Sequence, residues 1–134
     1  MENFIHTWSP RLLSVLRLVA GLLFVEHGST KLLHFPQVDM FNDLQIMSLI
    51  GLAGVLELGG GALLALGLFT RPVAFILSGE MAAAYFMAHA PKSFYPVLNG
   101  GEGAILFCFI FLYLAAAGGG EWSLDRMLRP GAKI

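Results

Sequence analysis

Apolar residues dominate four stretches of the chain, at about residues 11–34, 48–69, 72–90 and 101–119, and polar residues collect between them. A helix rises about 1.5 Å per residue, so a run of about 20 residues matches a hydrocarbon core about 30 Å thick. The pattern predicts an all-α polytopic membrane protein, a four-transmembrane-helix bundle forming one domain over residues 1–134. In the second stretch the many Leu, Ile, Val and Phe side chains each favour insertion by about 0.3–0.6 kcal/mol, enough together to outweigh about 3 kcal/mol for Glu57. Residues 1–10 hold Glu2, His6 and Trp8 without a basic group, so no cleavable leader is expected and the first helix should be retained.

Composition agrees, with 57% hydrophobic residues, 13% charged residues and a mean hydropathy of +0.73. A net charge of −1, with Lys and Arg scattered, argues against nucleic-acid binding, which needs a basic patch. The single cysteine, Cys108, excludes an internal dithiol relay and a Cys-rich metal site, and it reads as a small buried hydrophobe. Arg11, Arg17, Arg71, Arg126, Arg129 and Lys133 fall on one side, against Lys31 and Lys92 on the other. The positive-inside rule therefore places both termini in the cytoplasm, with Trp8 and Trp122 at the inner interface. Residues 35–47 and 91–100 become the outer loops, where an external partner or substrate would arrive.

Glu26, Glu57 and Glu80 sit inside three of the apolar stretches, each about nine residues, or about 13–14 Å, from a boundary. Intramembrane carboxyls are costly and usually face a bundle interior, so the three are expected to share one level in a common cavity. At least one should then hold its proton at neutral pH. Ala53, Glu57, Gly61 and Ala65 recur every four residues, a small-residue stripe that turns Glu57 toward protein. Each acid alone also fits a bland role, a carboxyl hydrogen-bonded across helices to hold register. The outer half adds His27, Lys31, His34, His89, Lys92, Asn99 and Glu102; His27, Lys31 and His34 are spaced to share a helical face. Lys31 is expected to turn inward and offset one acid, while His34 and Lys92 reach the headgroups.

Arg17 and Glu26 in the first stretch match Arg71 and Glu80 in the third, with Val, Ala and Leu aligned between them. This suggests a two-plus-two internal repeat in which Arg17, like Arg71, snorkels to the interface. Haem is disfavoured because His27 lies deeper than His89, and a di-iron carboxylate bundle would show Glu-x-x-His pairs, which are missing. No metal site is expected.

His27-Gly28-x-x-Lys31-Leu32, Gly54-x-x-Glu57, Gly67-x-Phe69-Thr70-Arg71, Glu80-Met81-Ala82 with Ala88-His89, and Asn99-Gly100-Gly101-Glu102 occur in that order. As a set spanning residues 11–125 they resemble the DoxX family of small bacterial membrane proteins. The resemblance implies a four-helix protein of the bacterial inner membrane. Some relatives are linked to quinone-coupled oxidation of sulfur compounds or to redox-stress complexes, while most have no assigned activity.

The resulting expectation is a redox-associated subunit in which Glu57, Glu80 and Glu26 handle protons. His27, Lys31, His89, Asn99 and Glu102 would help bind a quinone headgroup, the one cofactor considered. No nucleotide fingerprint, flavin signature or cysteine cluster is present, so electrons would come from a protein partner, the chain being an accessory subunit rather than a complete enzyme. The alternatives are a structural or assembly subunit without chemistry, in a complex or homo-oligomer, and a proton-coupled transporter of small solutes.

Overall fold

The computed structural model describes residues 1–131, so Lys133 and Ile134 lie outside the described residues. Six α-helices follow in order: α1 (Glu2–Leu32), α2 (Leu49–Leu66), α3 (Thr70–Ala84), α4 (Pro96–Asn99), α5 (Glu102–Ala117) and α6 (Leu124–Leu128). A 3₁₀ turn at Asp39–Phe41 lies in the first loop, and a π-helical turn, Tyr85–His89, continues α3. No strand occurs among the described residues.

Helix α1 begins at Glu2, well before the expected boundary at residue 11, and runs through Pro10. Proline removes one backbone bond from that turn. The turns before it carry local contacts: Thr7 Oγ1 donates to Asn3 O at 2.8 Å, and the rings of Phe4 and Trp8 stand 5.9 Å apart. At its other end α1 stops at Leu32, and His34 takes a left-handed φ of 54°, so His34 is not on the helical face of His27 and Lys31. Ser48 caps α2 by accepting from Gly51 N at 3.1 Å. Gly67, with φ 71°, ends α2 in the left-handed conformation that glycine adopts without strain.

The main packing is pairwise, α1 with α2 and α3 with α5, with α2 and α3 meeting more lightly and α1 barely touching α5. Close approach of α1 and α2 requires small residues. A β-carbon on Gly21 would lie 2.6 Å from Ala65 N, and one on Gly61 would lie 2.7 Å from Val25 N. Phe24, Leu64, Leu77, Phe111 and Leu114 form the centre shared by all four long helices, with Phe24 edge-on to Phe111 at 4.5 Å.

The outward faces are apolar as well: Leu18, Leu22, Leu52, Val55, Phe75, Ile76, Leu106 and Phe109 are all exposed. Helices apolar all round suit a lipid environment. Two are long and apolar enough to cross a bilayer, α1 over Asn3–Leu32 and α2 over Leu49–Leu66. This is a helical membrane protein.

Candidate functional site

Lys31 ends the inward face of α1, and Glu57 lies midway along α2 where the two helices touch. Lys31 Nζ stands 2.6 Å from both Glu57 carboxylate oxygens, with the side chains only 14% and 4% exposed. Gly54, one turn before Glu57, makes room for this pair, since a β-carbon there would press on Lys31 Cβ at 3.1 Å. Phe41, from the 3₁₀ turn in the first loop, places its ring 5.9 Å from the ammonium. Glu80 on α3 lies within coulombic range of both Glu57 and Lys31. Its two oxygens are buried and, among the described residues, have no hydrogen-bond partner. One cation thus faces two carboxyls, a charge imbalance that a proton on one acid removes.

Glu26 departs from the expected cavity. It is exposed on the outer surface of α1, so the three acids do not share one interior. Helical geometry gives the reason: Glu26 is two residues from Phe24, a turn of about 200°, which carries it to the side opposite the buried ring. His27 is exposed, with its ring near Phe24 (6.0 Å) and Phe107 (6.4 Å) at the meeting of α1 and α5.

His89 and Asn99 form a separate cluster in the connection between α3 and α5. His89 Nδ1 is 3.0 Å from Asn99 O, and the His89 ring stacks on Tyr85 at 6.4 Å. Buried Asn99 donates to Ser93 O at 2.9 Å and to Tyr85 Oη at 3.3 Å, and accepts from Gly101 N at 2.7 Å. These bonds fix the turn into α5, where exposed Glu102 supplies a negative charge to the first turn. Among the described residues no hydrogen bond joins this cluster to Lys31, Glu57 or Glu80, and no three His, Cys, Asp or Glu side chains gather to hold a metal.

The family model for DoxX matches residues 12–90, more than half the chain and the part that carries Lys31, Glu57, Glu80 and His89. The chain belongs to the DoxX family. It is 42% identical over 127 residues to an uncharacterized protein of Haemophilus influenzae, covering 92% of this chain and 95% of that one. It is 27% identical over 145 aligned positions to an uncharacterized membrane protein of Mycobacterium tuberculosis, covering 97% and 89%. No solved structure matches.

Where α1 meets the end of α2 in this DoxX-family fold, Arg17 is not the interfacial side chain expected from its sequence match to Arg71. It is 2% exposed. Its Nε donates to Gly119 O at 2.8 Å, Nη2 to Trp122 O at 2.7 Å, and Nη1 to Ala65 O at 2.7 Å and to Leu64 O. Two of these carbonyls end α2, where a cation meets the negative end of the helix dipole. Asp125 works alongside, accepting from Phe69 N and Thr70 N at 2.8 Å each and so capping α3 from a distant part of the chain. Burial raises the Asp125 carboxyl, but those amides and nearby Arg129 outweigh it and hold the group below the ordinary carboxylate range. Ser123, after the three glycines Gly118–Gly120, caps the start of α6 by accepting from Arg126 N and so sets Asp125 in place.

Proposed function

We propose that this DoxX-family protein is a four-span subunit of the bacterial inner membrane, with both termini cytoplasmic, in which Lys31, Glu57 and Glu80 form a proton-handling centre serving quinone-linked redox chemistry. One observation carries the proposal: Glu57 is satisfied by Lys31, while Glu80 is buried beside them without a partner. A buried carboxyl without a partner is costly to keep for packing alone. It suits a group that gains and loses a proton or gives a hydrogen bond to a ligand oxygen.

In this reading Glu57 keeps the Lys31 charge in place, Lys31 biases the proton between the two acids, and Glu80 carries it. A quinone, when bound, would supply the electron-accepting ring, and Glu80 is the group placed to meet its oxygen. Electrons would arrive from a partner protein. Glu26 and Glu102, both exposed, have no part in this centre, and His89 with Asn99 shapes the outer loop. The two-plus-two repeat gains support from Arg71, whose Nη1 donates to Ala115 O and Ala116 O near the end of α5, as Arg17 does to Leu64 and Ala65 near the end of α2.

The ion pair also favours a second reading, an assembly subunit in which Lys31–Glu57 only ties α1 to α2. Infrared difference spectroscopy on the purified protein, with and without a short-chain quinone, separates the two. A protonated-carboxyl band that shifts on quinone addition and vanishes in Glu80→Gln is the expected result. Absence of such a band in the parent protein overturns the proton centre and leaves the tie.

A further inference from the structure

We propose that α1 pairs in parallel with α1 of a second copy of this chain, along an outward seam whose polar centre is Glu26. Leu12, Val15, Val19, Leu22, Glu26 and Ser29 follow one another at alternating spacings of three and four residues. That spacing lines one side of a helix with the seam of a left-handed helix pair. Leu12, Val15, Val19 and Leu22 are 42–60% exposed, so this side is free, whereas Gly21, Phe24, Gly28 and Lys31 on the other side serve α2 and the core.

Glu26 decides what covers the seam. Its carboxyl lies one turn beyond Leu22 on a face otherwise made for lipid, and among the described residues no ion pair reaches it. An uncovered carboxyl at that depth is unfavourable, so a group able to hydrogen-bond is needed opposite it. Two copies inserted with the same orientation bring their α1 helices together at equal depth, and Glu26 then meets Glu26. Two carboxyls sharing a proton satisfy each other, one as donor and one as acceptor. A single polar residue in an apolar seam also fixes register. A foreign helix would have to offer a donor at that depth, while the second copy has one by symmetry. Beside the inner end of the seam a groove of about 510 Å³, lined by Ile5, Trp8, Leu12, Leu16 and Tyr113, leaves room for the side chains of the second helix.

The test uses the full chain in native membrane vesicles, in a Cys108→Ala background, with yields normalised to inserted protein. Leu22→Cys should form a disulfide-linked dimer on mild oxidation, while Val55→Cys, equally exposed on α2, should not. Adding Glu26→Leu should lower the Leu22→Cys dimer about three- to tenfold, and Glu26→Gln, which still hydrogen-bonds across the seam, should preserve it. The proposal fails if Leu22→Cys stays monomeric, cross-links to a different protein, matches Val55→Cys, or is indifferent to Glu26→Leu. None of these readouts depends on the Lys31, Glu57 and Glu80 centre.

Discussion

Replacing Glu57 with Gln removes the counter-charge of a nearly buried ammonium. Taking one partner from a buried pair costs about 3–5 kcal/mol, because the other charge stays behind. Glu57→Gln should therefore lower the amount of folded protein in the membrane, measured by thermal denaturation of the detergent-solubilised chain. Glu80→Gln, which breaks no bond, should not. Removing both charges is different: Lys31→Met with Glu57→Leu should recover the folded level while leaving the proton centre dead. If Glu57→Gln is as stable as the parent protein, the Lys31 contact is not a working ion pair. At the other end of the molecule Asp125 is held below its ordinary range by Phe69 N, Thr70 N and Arg129. A carboxyl lowered on folding stabilises above its unfolded value, and that contribution is lost as pH falls through the folded one. The melting temperature should thus fall as pH drops below about 4, and Asp125→Ala, losing a capping acceptor, should cost about 0.5–2 kcal/mol and flatten that acid limb.

Arg17, midway along α1, and Arg71, in the first turn of α3, each donate to carbonyls near the end of the helix packed beside them. Their surroundings differ, Arg17 being buried and Arg71 exposed. Arg17→Lys should lower thermal stability markedly, since one ammonium cannot replace a fork reaching Gly119, Ala65, Leu64 and Trp122. Arg71→Lys should be nearly silent in the same melt, as its partners can turn to water. Equal losses would mean that burial of Arg17 does not set its importance. The four long apolar helices and the inward turn of Lys31 and Glu57 were legible because spacing along a helix reports its face. The burial of Arg17 was not, because it depends on Gly118–Gly120 folding residues 121–128 back beneath α2, a contact across more than 100 positions. Glu26 went astray for a simpler reason: depth along a helix was readable, but depth says nothing of direction around it. In a membrane both faces of α1 are apolar, so the inward side is marked by Gly21 and Gly28 rather than by hydrophobicity.

At the scale of the whole molecule, among the described residues only α1 and α2 are long enough to span by themselves, yet α3 and α5 are packed against each other and share the central core through Leu77, Phe111 and Leu114. Helix α3 gains length from the π-helical turn to His89, and α5, at 16 residues, covers about 24 Å, so the proposed crossing of α5 requires local thinning or the polar caps at its ends to make up the rest. In the proposed four-span arrangement the turn Gly67–Thr70, α6 and the start of α1 fall on one side. The charge asymmetry survives removal of the buried groups. With Arg17 committed to carbonyls and Lys31 to Glu57, Arg11, Arg71, Arg126 and Arg129 still stand against Lys92. The proposed orientation, with the Arg side in the cytoplasm, rests on that bias. A reporter active only in the cytoplasm should therefore work when fused after Ile134. Single cysteines at Gln45 in the first outer loop and Ser93 in the second, in a Cys108→Ala background, should react with a membrane-impermeant maleimide in intact cells, while one at Arg126 should react only after lysis. Labelling of Arg126→Cys in intact cells, with both loop variants protected, would reverse the orientation and turn the outer end of the Lys31–Glu57 pair toward the cytoplasm. Protection of Ser93→Cys with labelling of Gln45→Cys would instead mean that α3 and α5 do not both cross, and that the four-span arrangement is wrong.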